Sequence, residues 1–323
     1  MRRFIGTRST ANYRSAVAAL RCISPFDPTL RARRSLSRVL ARGLLPRNLE
    51  PLTYAFEELL GESAASARRL IHDWFFYRHL ESESWLGARR QKPGMLLDAA
   101  RIGGYLDASP RGVLVATIHL GDYLEGLRQL RLAVSVPKPV LVVRRRAWSE
   151  IEARAFARIA SSDLPMTVVR TGDGAAMSVV RALRRGDIVV ALYDLPRQFG
   201  GTVEVDFFGR RAQFVRGPAE IAVLGHADVL PLFTHYDADG VSVAEAKPVI
   251  AAAPCRASER AARTQAIAQR LCALAQRQIR AHPSQWSHWT FVRELLGDAD
   301  NTAVGGVISA GPMSHTWRGR KTQ

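Results

Sequence analysis

The sequence has little cysteine and no long apolar run. Three cysteines occur in 323 residues, Cys22, Cys255 and Cys272, and they show none of the CxxC or Cys/His spacings of zinc sites or disulfide frameworks. No uninterrupted apolar stretch reaches the roughly 18 to 20 residues of a membrane-spanning helix. We therefore expect a protein of a reducing compartment that holds no metal and is not integral to a membrane.

Acidic residues are also scarce, above all near the N-terminus. The chain carries 46 lysines and arginines against 29 acids, and residues 1–49 hold eleven arginines but one acid, Asp27. Such a basic arm attracts anionic lipid, nucleic acid or an acidic carrier protein. It also has the composition of a mitochondrial presequence, although Pro25, Pro28 and Pro46 interrupt its apolar positions. No nucleic-acid partner is expected, because the chain lacks RNP, helix-turn-helix and zinc-finger signatures.

The rest of the chain alternates between helix and strand patterns. Helices are predicted at 54–60 and 64–80, forming a helical N-terminal preamble, and later at 121–133, 149–160, 174–185 and 257–281. Apolar strand patterns lie at 112–118, 139–143, 166–169, 187–193 and 229–233, and a hairpin is predicted at 203–215. This alternation predicts an α/β fold. We assign 1–49 to the basic arm, 50–295 to the main domain and 296–323 to a disordered tail.

A histidine follows the first predicted strand. His119 stands where the apolar run ends, and the carboxyl ends of strands are where open α/β sheets bind ligands. A carboxylate that accepts a hydrogen bond from one ring nitrogen leaves the other free to take a proton. Asp122 and Glu125 follow closely, and a separation of three keeps Asp122 nearer the same helix face, so we favour it. Alternatively, Asp122 caps the next helix and the backbone satisfies His119.

Two later segments are also candidates for a functional site. Phe207-Phe208-Gly209 lies in the predicted hairpin, which has the alternative interpretation of a solvated basic turn. His282-Pro283-Ser284-Gln285-Trp286-Ser287-His288-Trp289 combines histidines with tryptophans. Tryptophans in such a run line a site or close a core, with the indole N–H as a polar handle.

Together these segments resemble the lipid A biosynthesis lauroyl and myristoyl acyltransferases, part of the lysophospholipid acyltransferase superfamily. The resemblance rests on His119-Leu120-Gly121-Asp122-Tyr123-Leu124, Phe207-Phe208-Gly209, Gly217-Pro218-Ala219, Val229-Leu230-Pro231 and His282-Pro283-Ser284-Gln285-Trp286. It implies a central mixed, mostly parallel sheet flanked by helices, of the glycerol-3-phosphate acyltransferase type. It further implies acyl transfer from an acyl carrier protein or coenzyme A thioester to a hydroxyl or amine of a lipid A-type acceptor, without another cofactor.

The resemblance also implies roles for individual residues. His119 is the expected general base, and Asp122 or Glu125 replaces the family's acid, whose position holds Leu124 here. Asp194 is interpreted as the orienter of an arginine. The expected phosphate ligands are Arg144, Arg158 and Arg170, and the expected substrate contacts include Phe207, Phe208 and Gly209. Leu120 and Tyr123 join the two phenylalanines as walls of an acyl slot, with ordinary core as the alternative.

Two departures from the family bear on function. The N-terminal spanning helix of the family is not expected here, so the basic arm is predicted to hold the protein peripherally on the anionic cytoplasmic side of the bacterial inner membrane. With the altered acid, this leaves two alternatives open. One is an acyltransferase of the same fold that acts on a specialised metabolite, and the other is an inactive relative that serves as a binding module.

Overall fold

The computed structural model describes residues 34–35, 38–39, 49–86, 93–144, 156–157, 166–170, 175–251 and 254–297. Most of the basic arm, most of the helix predicted at 149–160 and nearly all of the predicted tail lie outside the described residues.

The described residues form nine strands. They are β1 (Met95–Leu96), β2 (Val113–Thr117), β3 (Val140–Arg144), β4 (Met166–Arg170), β5 (Ile188–Leu192), β6 (Thr202–Phe207), β7 (Arg210–Val215), β8 (Asp228–Tyr236) and β9 (Ser242–Ala246). Seven of them make one sheet in the order β1-β9-β8-β2-β5-β3-β4. The five strands from β8 to β4 are parallel, whereas β9 is antiparallel to β8 and parallel to β1. The predicted mixed, mostly parallel sheet is thereby confirmed.

Eight α-helices flank the sheet in the described chain. They are α1 (Glu50–Tyr54), α2 (Ala64–Leu86), α3 (Ala99–Ala108), α4 (Tyr123–Ala133), α5 (Ala175–Arg185), α6 (Gly217–Gly225), α7 (Arg260–Ala281) and α8 (Val292–Leu295). A π-helical turn, Ala55–Leu59, joins α1 to the chain before α2, and 3-10 turns lie at Arg197–Phe199, Ala257–Glu259, Pro283–Gln285 and Ser287–Phe291. β1, α3, β9 and α8 were not predicted from the sequence. β1 has only two residues, and paired glycines weaken the helical pattern of α3.

The central strand β2 is buried on both faces of the sheet. Leu114 and Ala116 face one apolar cluster, and Val113 and Val115 face the other. Helices α5, α6 and α7 contribute to the first cluster, whereas α3 and α4 contribute to the second. Burial on both faces explains why the parallel strands read as continuous apolar runs rather than alternating patterns.

The hairpin β6–β7 is attached to helix α7 by glutamine side chains. Gln269 accepts from the backbone N–H of Asp206 at 2.9 Å, and Gln276 accepts from the N–H of Phe208 at 2.8 Å. The turn itself is Phe208-Gly209, with φ of 52° and 75°, as a two-residue hairpin loop of the favoured type requires. The predicted hairpin is confirmed, and its tip is fixed against the long helix.

Two arginines of the basic arm contact helix α2. Arg38 pairs with the buried Asp73, with a 2.7 Å bond from Nε to Oδ1, and Arg34 donates to the Tyr77 hydroxyl at 3.2 Å. These two cations are therefore partly used inside the domain. Among the helices that the structure describes, none combines the length and the hydropathy needed to cross a membrane.

Adjacent glycines in α3 provide a test of this packing. A Cβ on Gly103 would lie 2.0 Å from the carbonyl oxygen of Ala133, whereas a Cβ on Gly104 would meet nothing within 4 Å. We expect Gly104→Ala to raise the free energy of unfolding by about 0.5 to 1 kcal/mol through helix propensity. Gly103→Ala should lower it, because α3 and α4 must move apart. Denaturant unfolding of both variants checks this, and equal effects would contradict the close approach of the two helices.

Candidate functional site

The site forms where strands β2 and β5 end side by side. Thr117 of β2 lies opposite Leu192 of β5 in a parallel register, and the N–H of Tyr193 still donates to the carbonyl of Thr117 at 3.1 Å. Two residues beyond this pair come His119 and Asp194. Because the register continues, the two side chains meet at the carboxyl edge of the sheet, where α/β folds bind ligands.

The Asp194 carboxylate is enclosed by hydrogen-bond donors. Its Oδ1 accepts from Nδ1 of His119 at 2.8 Å, and its Oδ2 accepts from the His119 backbone N–H at 2.9 Å and from the Trp286 indole at 2.8 Å. The residue itself is fully buried, whereas the His119 side chain remains 22% exposed. Asp194 therefore supports His119 from inside the protein, and His119 is the partner that meets solvent.

Electrostatics keep this carboxylate ionised. Burial alone would raise the pKa of Asp194, but the neighbouring His119 and His288, with the hydrogen bonds from His119 and Trp286, hold that pKa well below its usual range. An ionised carboxylate only accepts hydrogen bonds, so Nδ1 of His119 carries the hydrogen. In the neutral ring, Nε2 is then unprotonated and able to take a proton.

A second histidine lies against the first. The rings of His119 and His288 stack at a centroid distance of 3.8 Å with 27° between their planes, and Tyr123 contacts the His119 ring edge-on at 5.4 Å. Nδ1 of His288 lies 2.8 Å from the backbone carbonyl oxygen of Asp194. Burial and the adjacent His119 lower the pKa of His288 to about 4. His288 is therefore neutral at physiological pH.

The segment after α7 is bound to the chain around His119. The carbonyl of His119 accepts from the Ser287 N–H at 2.9 Å and from its hydroxyl at 3.1 Å. Gln285 bonds both the N–H and the carbonyl of Tyr236, at 2.7 and 3.0 Å. The Trp74 indole donates to the carbonyl of Trp286 at 2.8 Å. These contacts explain the His-Pro-Ser-Gln-Trp pattern, because they bring Trp286 to Asp194.

The two acids that the sequence analysis offered as partners of His119 have other contacts. Asp122 is buried and caps α4, accepting from the Glu125 N–H at 3.2 Å and from the Trp85 indole at 3.1 Å. It also accepts from the Ser84 hydroxyl. Burial raises the pKa of Asp122. The favoured pairing of Asp122 with His119 is replaced by pairing with Asp194, and the capping alternative is correct.

Glu125 also points away from the histidine. Its carboxylate accepts from Arg128 and Gln129, at 2.7 and 2.8 Å, and from the Gly94 N–H at 3.0 Å. Among the hydrogen bonds that the structure describes for Glu125, none involves His119. Asp194, interpreted from the sequence as the orienter of an arginine, binds His119, Trp286 and His288 instead.

Of the three arginines predicted as phosphate ligands, two lie in strands that the structure describes. Arg144 ends β3 and lies opposite Arg170, which ends β4, so both stand at the same edge of the sheet as His119. Strand β3 is also the direct neighbour of β5. Arg158 and the side chain of Arg170 lie outside the described residues.

The predicted acyl-slot residues belong mainly to the core. Leu120 and Phe207 have no exposed surface, and Tyr123 and Phe208 are also buried. Phe207 packs against Trp286 at a centroid distance of 5.8 Å, and Phe208 against Trp289 at 5.8 Å. Gly209 is exposed at the hairpin turn. The Phe-Phe-Gly segment therefore supports the tryptophan that holds Asp194, in line with the core alternative.

His119, Asp194 and His288 are close enough to consider as metal ligands, since one atom of each lies within 4.8 Å of the others. The stacked rings argue against one ion between them. Zinc bonds a histidine nitrogen in the ring plane at roughly 2.0 to 2.1 Å, and an ion at that distance from both nearly parallel rings would lie far out of at least one plane. The chemistry that the arrangement supports is proton transfer.

Comparison with known proteins matches part of the chain to one family. Residues 144–293, a little under half of the chain, match the family model of the bacterial lipid A biosynthesis acyltransferases. The match includes Asp194, Phe207-Phe208-Gly209 and the segment from His282 to Trp286, and it begins after His119. No curated protein matches the sequence. For this part of the chain, the match supports the bacterial lipid A biosynthesis acyltransferase family and, with it, acyltransferase activity.

Proposed function

We propose that the protein transfers a fatty acyl group from a thioester to a hydroxyl or amine of a lipid A-type acceptor, with His119 as the general base and Asp194 as its carboxylate partner. The observation that carries the proposal is the pair itself. An ionised, buried carboxylate holds Nδ1 of a histidine whose side chain is partly exposed. This leaves Nε2 as a base at the edge of the sheet where substrates bind.

The reaction needs no covalent intermediate. Nε2 of His119 takes the proton of the acceptor as its oxygen or nitrogen attacks the thioester carbonyl, forming a tetrahedral oxyanion. The C–S bond then breaks, the imidazolium returns the proton to the departing thiolate, and the products are the acylated acceptor and a free thiol. Asp194 stabilises the imidazolium that exists between these two proton transfers.

Arg144 and Arg170 are the proposed contacts for phosphate on the donor or the acceptor. The two arginines are the last residues of neighbouring strands, at the sheet edge where His119 lies. Guanidinium groups bind phosphate oxygens in a bidentate manner. Arg158 is kept as a further candidate from the sequence. For the donor we propose acyl carrier protein, because a chain with a net charge of +17 attracts an acidic carrier. Peripheral binding to anionic lipid on the cytoplasmic side of the inner membrane follows from the same charge.

Three substitutions test the pair, and Asp122→Asn is the matched control for Asp194→Asn. Asp194→Asn should lower kcat by about 10²- to 10⁴-fold, because the amide cannot stabilise an imidazolium, and His119→Ala should lose at least as much. Asp122→Asn should stay within a few fold of the wild type, since Asn also caps helices well. Turnover with an acyl thioester and a lipid A precursor measures the rate of each variant, and circular dichroism checks that each variant is folded. If Asp122→Asn abolishes turnover while Asp194→Asn leaves it intact, the assignment to Asp194 is wrong.

The donor is tested by kinetics with matched thioesters. We expect a higher kcat/KM with an acyl group on acyl carrier protein than with the same acyl group on coenzyme A, because the carrier adds electrostatic attraction. This preference should shrink as salt is added. A preference for the coenzyme A thioester at every ionic strength would refute the carrier as donor. Replacing the lipid acceptor by small hydroxyl or amine metabolites in the same assay tests the alternative acceptor class.

Membrane association is tested by co-sedimentation. The full chain should pellet with vesicles that contain anionic lipid and remain in the supernatant with neutral vesicles, and high salt should release it. The neutral vesicles serve as the matched control. Vesicle binding that depends on neither lipid charge nor salt concentration would contradict a peripheral, electrostatic mode of membrane binding.

A further inference from the structure

We propose that His288 is a positioning residue of acyl transfer. Its ring stacks against His119 and stabilises the imidazolium that forms there, and its Nδ1–H holds the backbone of Asp194. The inference rests on the proposed role of His119 as the base. It starts from one arrangement, in which Asp194 binds the first imidazole through its carboxylate and the second through its carbonyl oxygen.

The hydrogen-bond acceptor of His288 determines the tautomer of its ring. A backbone carbonyl oxygen accepts hydrogen bonds and cannot donate, so Nδ1 of His288 must carry the hydrogen at 2.8 Å from it. The surroundings keep the ring neutral: burial and His119 lower the pKa of His288 to about 4, although Asp194 acts in the opposite direction. Arg78 on α2, whose charge also opposes protonation of His288, adds to this. Only His119 of the stacked pair is therefore protonated during turnover.

A neutral aromatic face suits a ring that becomes positive. A cation above an aromatic face is attracted by the ring electrons, and the gain increases when the pair is shielded from water. The side chain of His288 is 12% exposed, and Phe291 makes a T-shaped contact with its ring at a centroid distance of 5.1 Å. The groups that face the stack are Asp194 after β5, Tyr123 on α4 and Arg78 on α2. The stack therefore stabilises the imidazolium without adding a second charge.

Three substitutions separate the two contributions. His288→Phe keeps an aromatic face and removes the donor, His288→Asn keeps an N–H near the position of Nδ1 and removes the face, and His288→Ala removes both. We expect kcat to fall about 10- to 100-fold in the Ala and Asn variants with little change in KM, and less in the Phe variant. The acid limb of the pH–rate profile should move to lower pH in the Ala and Asn variants, by on the order of one unit, because the protonated base has lost support.

His282 provides the matched control. It stacks on His235 at a centroid distance of 3.9 Å, and burial lowers its pKa to about 4, so it is another neutral stacked histidine near the same loop. His282→Phe and His282→Asn should leave kcat and the acid limb nearly unchanged. Circular dichroism and denaturant unfolding of all variants separate loss of folding from loss of rate, and the Phe and Asn variants decide if the Ala variant does not fold.

The double variant gives the sharpest result. If His288 acts through His119, adding His288→Ala to His119→Ala should lower the residual rate no further. A further loss of tenfold or more would show that His288 acts independently, and this would overturn the proposal. So would an unchanged kcat and acid limb in folded His288→Asn. If His119→Ala itself keeps full activity, the proposed function fails instead, and the two failures are thereby distinguished.

Discussion

The site depends on one buried charge. Removing a carboxylate from water costs several kcal/mol unless hydrogen bonds replace the lost hydration. At Asp194 these are the ring and backbone N–H groups of His119 and the indole of Trp286. Because these donors come from His119 at the end of β2 and from Trp286 after α7, satisfying this one carboxylate orders both segments together.

The apolar surroundings of Trp286 strengthen its hydrogen bond to Asp194. Trp286 is fully buried, and Phe207 and Trp289 make T-shaped contacts with its ring at centroid distances of 5.8 and 4.7 Å. The Phe-Phe-Gly turn places Phe207 there, and glutamines of α7 hold the turn. A dry environment strengthens hydrogen bonds that are made and penalises those that are lost. The hairpin, which bears no reactive group, therefore supports the chemistry through the tryptophan.

The sequence predicted what local patterns determine. Apolar runs located β2 and β5, and the end of β2 located His119. The partner acid was missed because it lies 75 residues away, and pairing it with His119 requires knowing that β2 and β5 are neighbours although β3 and β4 come between them in the chain. A short spacing favoured Asp122, but helix capping and burial use that carboxylate. The run from His282 to Trp289 was noted in the sequence, but the stacking of His288 on His119 could not be predicted, since it depends on how the segment after α7 folds back onto residues 119–121.

Supplying the carboxylate from the neighbouring strand changes what the following helix must do. Leu124, where the sequence resemblance led us to expect an acid, is buried in the apolar cluster on one face of the sheet, so α4 contributes packing there instead of a charge. The orientation of His119 then depends on contacts of high sequence separation: Asp194 after β5, and Ser287 and His288 after α7. The contacts of Ser287 and His288 require the segment after α7 to dock against the end of β2, so the final orientation of His119 depends on a late, long-range step of folding.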